Sequence, residues 1–182
     1  MVAYWINFAK KVGFRLASSI FLTRKMVSFL DVDTARHIIE LWAWDGRVTR
    51  EILLHMHPDA KIDIFEIDEA QIGWLHALFD HDNRVSIHTT SAAHIDEIFT
   101  SASIDAVIST LPLGSISRDG VDHILRSIFT VLKAQGQYIQ YQYWMVNRGD
   151  VKKYFTIDST VFEPRNACPA WIYCARKTRE NI

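Results

Sequence analysis

Beyond residue 33 the chain alternates short apolar runs with stretches in which apolar positions recur every three or four residues. His37–Trp42, Lys61–Glu66, Arg84–His88, Ile104–Ser109 and Gly136–Tyr143 read as strands, and Arg47–Met56, Glu69–Phe79, Ala92–Thr100 and Val121–Lys133 as the helices between them. Strands alternating with helices imply right-handed βαβ units, hence a mostly parallel sheet covered on both faces. The tail breaks the alternation. Phe155–Glu163 and Ala170–Arg176 are strand-like, and the turn-rich Pro164–Pro169 between them leaves no room for a helix, so an antiparallel hairpin is expected. The predicted fold is α/β, a doubly wound, seven-stranded sheet.

The first thirty residues follow another pattern. From Tyr4 to Leu30, apolar residues including Phe8, Phe14, Phe21, Leu22 and Met26 recur at helical spacing among Lys10, Lys11, Arg15, Arg24 and Lys25, with no acidic residue. One or two amphipathic helices are expected, bending near Gly13 or Ser18-Ser19. The chain thus divides into an N-terminal segment, 1–32, and an α/β domain, 33–182. A cationic amphipathic helix with Trp5 and three phenylalanines suits the headgroup region of an anionic membrane. The same five cations suit RNA phosphates, and a helix that simply caps the sheet fits the pattern equally.

Composition narrows the classes. With 182 residues, 49% of them hydrophobic and 23% charged, the chain is sized for one domain with a full core. A net charge of −1 argues against a globally basic nucleic-acid-binding surface and places the cationic character at the front. Cys168 and Cys174 have no partners at metal-ligand spacing, so no metal site is expected. Six residues apart along one strand they are out of disulfide reach, and they read as reduced cytosolic thiols. No apolar run approaches the roughly 18 to 20 residues needed to cross a bilayer, so the expected location is cytoplasmic and peripheral at the inner membrane surface.

In a doubly wound sheet, ligands bind beyond the carboxyl ends of the strands, where strand order reverses. The first strand ends in Glu40-Leu41-Trp42-Ala43-Trp44-Asp45-Gly46, and the second ends at Glu66, a carboxylate suited to a ribose's two hydroxyls. His37 to Leu53 resembles the first motif of the class I S-adenosylmethionine-dependent methyltransferases, E-L-G-x-G-x-G, and the likeness continues through most of the chain. It implies a Rossmann-like fold and S-adenosyl-L-methionine as cofactor, held by the loop of Glu40, Trp42, Trp44 and Gly46, by Glu66 in F-E-I-D, by Ser91-Ala92 beside the adenine, and by Ser109. Ser109-Thr110-Leu111-Pro112-Leu113, Gln140-Tyr141-Gln142-Tyr143 and Asn166 to Tyr173 are most similar to the bacterial phospholipid N-methyltransferases. That likeness implies a phospholipid amine as substrate, with Tyr141 and Tyr143 lining its cavity beside Ser109 and Leu111. The ribosomal RNA adenine dimethyltransferases, with N-L-P-Y at the fourth strand's end, are the second resemblance; here Ser109 and Leu113 replace their asparagine and aromatic.

Trp42 and Trp44 depart from the pattern, standing where the family has glycines that take positive φ and admit the ligand to the backbone. Three readings follow: a chain altered at two glycines, a relative that has lost its cofactor and serves as a binding protein, or an active enzyme with a rebuilt loop. Tyrosines spaced two apart on a strand are also ordinary core residues, and His88, His94 and His123 read as surface or core residues and not as bases.

Overall fold

The computed structural model describes residues 18–178. Lys10, Lys11, Arg15 and the rest of the front half of the predicted amphipathic segment lie outside the described residues. Seven strands form one sheet: β1 (His37–Leu41), β2 (Lys61–Phe65), β3 (Val85–His88), β4 (Ile104–Ser109), β5 (Leu132–Gln142), β6 (Thr156–Glu163) and β7 (Ala170–Arg176). Their order is β3-β2-β1-β4-β5-β7-β6. The first five run parallel, and β7 joins antiparallel to both β5 and β6, as the alternating pattern and the helix-free tail predict. The order reverses between β1 and β4, which puts the crevice beyond Leu41 and Ser109.

Helices α1 (Ile20–Val27), α2 (Arg47–His55) and α3 (Glu69–Phe79) cover one face; α4 (Ile95–Ile98), α5 (Arg118–Val131) and α6 (Arg148–Tyr154) cover the other. Each face has its own apolar layer, because successive strand residues point to opposite sides. Ile38, Ile62, Ile64, Ala106 and Ile139 pack under α1–α3, whereas Ile39, Leu41, Phe65, Val107 and Tyr138 pack under α4–α6.

The described part of the N-terminal segment belongs to this core. Leu22, Met26 and Val27 are buried in the α1–α3 layer. The N-cap Ser19 accepts from Leu22 N, and its own backbone N–H donates 2.7 Å to Asn166 Oδ1, tying the start of α1 to the β6–β7 turn. A boundary at residue 32 therefore does not separate two bodies, since α1 is one of the helices that roofs the sheet.

Other differences have local causes. β1 ends at Leu41 because Trp42 leaves the extended region, with φ 64°. The helix expected over 92–100 is a 3₁₀ turn, Ala92–His94, followed by the single α-helical turn α4. β5 starts four residues early, ahead of an irregularity where Gln135 takes φ 65°. α6 was not anticipated: among its seven residues only Val151 is fully buried, and the helix relies on α5 and β6 for packing.

Gly46 sets how closely loop and helix approach. It takes φ 74°, and a Cβ there would lie 2.7 Å from Phe79 Cε2 and 3.3 Å from Leu75 Cδ2 on α3. Left-handed backbone costs an L-residue about 1–2 kcal/mol, and overpacking adds a similar amount. Gly46→Ala is therefore expected to lower unfolding stability by about 2–4 kcal/mol in urea titration; a loss below ~1 kcal/mol would show that the α2–α3 contact yields freely.

Candidate cofactor and substrate site

The loop after β1 alternates handedness. Trp42, Trp44 and Gly46 take φ 64°, 53° and 74°, so the backbone follows the conformation for which glycine is favoured although two of the three residues carry indoles. Neighbouring strands hold it there. Trp42 N donates 2.8 Å to Phe65 O, Thr110 Oγ1 donates to Trp42 O, and Gly46 N closes the turn onto Ala43 O at 2.9 Å. The indoles are half-buried and meet edge to face, with centroids 5.9 Å apart. Trp44 also lines a groove of about 560 Å³ between α2 and α3, with Arg47, Arg50, Gln71 and Trp74.

Two buried carboxyls brace this loop differently. Glu66 is 2% exposed: its Oε2 accepts from Trp44 N at 3.0 Å, and its Oε1 accepts from Ile67 N and Asp68 N at 2.8 and 3.0 Å. Oε1 is filled, while Oε2 retains a lone pair. Glu40 is fully buried, and its Oε2 accepts 2.7 Å from Thr49 Oγ1 while Oε1 has no partner. Burial pushes its pKa up to about 8, with repulsion from Asp45 and Glu66 adding to the effect and the Thr49 bond opposing it. Glu40 therefore stands mainly as a neutral acid at pH 7.

Ser91 N-caps the turn after β3, accepting from Ala93 N at 3.3 Å, and Ala92 is buried beneath it. Ile67 was not singled out from the sequence, yet it is 68% exposed directly beside Glu66. An apolar side chain left in water next to a ribose-type carboxylate suits the face of a flat ring. Its only sequence signal was its place in F-E-I-D.

The sheet separates residues that the sequence reading had placed together. Ser109 pairs in register with Gln140 on the α4–α6 side, where the Tyr138 hydroxyl donates 2.8 Å to Gln140 Oε1 and Leu111 also packs. Tyr141 and Tyr143 belong to the α1–α3 side with Ile139, their rings edge to face at 5.5 Å. The pair thus sits near Asn166 below the start of α1 and not beside Ser109 and Leu111, because period-two alternation sends Tyr141 and Gln140 to opposite faces. Burial also holds the Tyr143 hydroxyl far above the ordinary phenol range, so it can donate a proton in a hydrogen bond but does not act as a base. Gln140 and Gln142 both donate 3.0 Å to Leu111 O, which fixes the loop after β4.

No family model matches the chain. It is 28% identical over 170 residues to the ornithine lipid N-methyltransferase of Singulisphaera acidiphila, covering 91% of this chain and 88% of that protein. TrmN from Thermus thermophilus superposes with a TM-score of 0.70 at 14% identity over 86% of this chain; the chain spans about half of TrmN, 48%. N-methyltransferase NodS from Bradyrhizobium japonicum WM9, solved with S-adenosyl-l-homocysteine, superposes with a TM-score of 0.72 at 11% identity over 90% of both chains. The chain has the Rossmann-like fold seen in these methyltransferases.

The methyltransferase fold carries S-adenosyl-L-methionine as its methyl donor, and the residues present fit that group at two places. The backbone of 42–46 has the left-handed turns that admit a ligand, and Glu66 holds one unfilled lone pair at the end of β2. Trp42 and Trp44 carry their indoles on this left-handed backbone, the two rings meeting edge to face. Among the described residues, no group of His, Cys, Asp and Glu is arranged to hold a metal.

Proposed function

We propose that the chain is an S-adenosylmethionine-dependent N-methyltransferase that acts on the amine of a membrane-lipid head group. The observation that carries the reading is the likeness, along 91% of the chain, to a protein named for lipid N-methylation. Glu66 would hold the ribose hydroxyls, the turns of Trp42, Trp44 and Gly46 the methionine end, and Ile67, Ser91 and Ala92 the adenine, with Ser109 at the base of the crevice. When bound, the cofactor supplies a methyl group activated on a sulfonium, and the protein's work is to position an unprotonated amine against it. Tyr143 stays protonated, and Leu111 O already accepts from two glutamines, so neither takes the amine's proton. That proton goes to water before the amine settles, and Tyr141 and Tyr143 serve as an aromatic wall that favours cationic, partly methylated nitrogen.

The surface fits a membrane-peripheral enzyme. Ile20, Phe21, Trp144, Met145 and Phe162 are each 46–59% exposed, and all lie at the strand-end side of the sheet. Arg165 stacks 4.5 Å over the Phe21 ring among them. None of the described helices is long and apolar enough to cross a membrane. The RNA reading has weaker support, because Ser109 and Leu113 are both fully buried and present no edge or face to a flipped base.

Methyl transfer from labelled S-adenosylmethionine to vesicles of phosphatidylethanolamine or ornithine lipid, with structured RNA in parallel, tests this reading. Label is expected in the lipid phase. Label in RNA with none in lipid would assign the chain to the rival class.

A further inference from the structure

Four polar side chains on the α4–α6 face carry buried atoms without partners: Asn147, Arg148, Tyr173 and, beside Tyr173 on β6, Thr160. Tyr173 is fully buried on β7, where it pairs in register with Gln140 of β5 and Thr160 of β6, and its hydroxyl makes no hydrogen bond. Arg148, at the start of α6, has a buried Nε without a partner and takes part in none of the ion pairs among the described residues. Asn147 precedes it; its Nδ2 donates to Asp150 while its Oδ1 is buried and unfilled. An orphan buried donor costs about 1–3 kcal/mol, more when charged, so clusters of them mark places where a missing partner completes the structure.

Asn147 and Arg148 are consecutive, Arg148 lies close enough to Tyr173 to act on its hydroxyl, and the group adjoins the loop after β4. Gln140, the register partner of Tyr173, holds Leu111 O, and the turn Met145–Asn147 packs on the turn Leu113–Ser115. The Arg148 charge is felt at the Tyr173 hydroxyl, where it opposes the effect of burial. On the solvent side, just before Asn147 in the chain, Trp144 and Met145 are 59% and 46% exposed.

We propose that Arg148, Tyr173 and Asn147 form a recognition site for the oxyanion of an amphiphile that also bears an amine. The Arg148 guanidinium and the Tyr173 hydroxyl donate to a phosphate or carboxylate, Asn147 Oδ1 accepts from an N–H or O–H of the same head group, and Trp144 and Met145 contact the first methylenes of its chain. The site deepens the lipid-methyltransferase reading by naming what anchors the substrate while its amine faces the crevice. Phosphatidylethanolamine offers a phosphate and ornithine lipid a carboxylate, and both satisfy this chemistry.

The test is calorimetric titration of short-chain phosphatidylethanolamine, short-chain ornithine lipid and an alkylamine of equal chain length into wild type, Arg148→Gln and Tyr173→Phe. Wild type is expected to bind the two oxyanion-bearing lipids more tightly than the alkylamine, and the arm with the higher affinity identifies the oxyanion. Each variant should weaken those two by roughly tenfold or more while leaving alkylamine binding unchanged. Tyr173→Phe removes a hydroxyl that has no partner, so its melting temperature should equal or exceed that of wild type, and lost binding would not reflect lost folding. Equal weakening for all three ligands, or for none, overturns the site, as does wild-type binding that ignores the oxyanion. Methylation of the same lipids separates the two ideas: a lipid bound through Arg148 but never methylated removes the transferase reading alone, and a lipid methylated equally by all three proteins removes the site alone.

Discussion

Trp42→Gly/Trp44→Gly is expected to bind S-adenosylmethionine and S-adenosylhomocysteine at least about tenfold more tightly than the parent chain, with little change in folding stability. Both indoles sit on left-handed backbone, at φ 64° and 53°, which costs an L-residue about 1–2 kcal/mol at each position. Against that relief stand the lost burial of two half-exposed indoles and the entropy cost of two new glycines, about 0.5–1 kcal/mol each, so the stability terms nearly cancel. Affinity has no such cancellation, because removing the side chains only lets the ligand approach the backbone more closely. Trp42→Ala/Trp44→Ala separates bulk from backbone: it clears the indoles but keeps the conformational cost, and should recover affinity while losing stability. Calorimetry on the three proteins decides the matter. Equal affinity across the series would mean that the indoles lie outside the seat, and absence of binding throughout would favour a non-enzymatic role.

Glu40→Gln is expected to abolish most of the chain's loss of stability between pH 4.5 and 8. In the folded protein burial holds the Glu40 proton until about pH 8, whereas the unfolded chain releases it near the ordinary carboxylate value of 4.5. The raised folded value means that the stabilising contribution is fully present below pH 4.5 and is lost as the pH rises through 8. At about 1.4 kcal/mol per pH unit, the whole window is worth on the order of 5 kcal/mol. Glutamine keeps the shape and an oxygen for Thr49, yet does not titrate. Urea unfolding of both proteins at pH 5 and pH 8.5 should give similar stabilities at the lower pH and a clear advantage for Glu40→Gln at the higher. Parallel curves would show that Glu40 is already ionised in the folded state.

The two predictions concern neighbouring residues that differ in how far the sequence exposes their role. Glu40 and Glu66 were legible as strand-end carboxylates, because an acid that closes a short strand in an α/β pattern has only one end of the sheet to occupy. That Glu40 keeps its proton was not legible. It depends on complete burial and on a single hydroxyl, set by residues whose approach is fixed only by folding. Likewise the tyrosines of β5 were visible, but the face on which they lie depends on the register of Ser109 against Gln140. Tyr173 ends the segment from Asn166 that the resemblance singles out, but its pairing with Arg148, 25 positions away, was not legible, because an unforeseen short helix brings Arg148 near it.

By itself the sequence determined the layers and the parallel sheet with its antiparallel end. Those features follow from hydrophobic period and element length, which are local properties of the chain. Only the tertiary structure decided that α1 is part of the core, that Trp42 and Trp44 are forced into glycine's conformation, and which buried polar atoms remain without partners. Each of these is set by contacts between residues far apart in the chain: Ser19 with Asn166, Thr110 with Trp42, and β7 laid against β5. Such contacts place a backbone or bury a charge against its local preference, and local preference is all that a pattern of residues records.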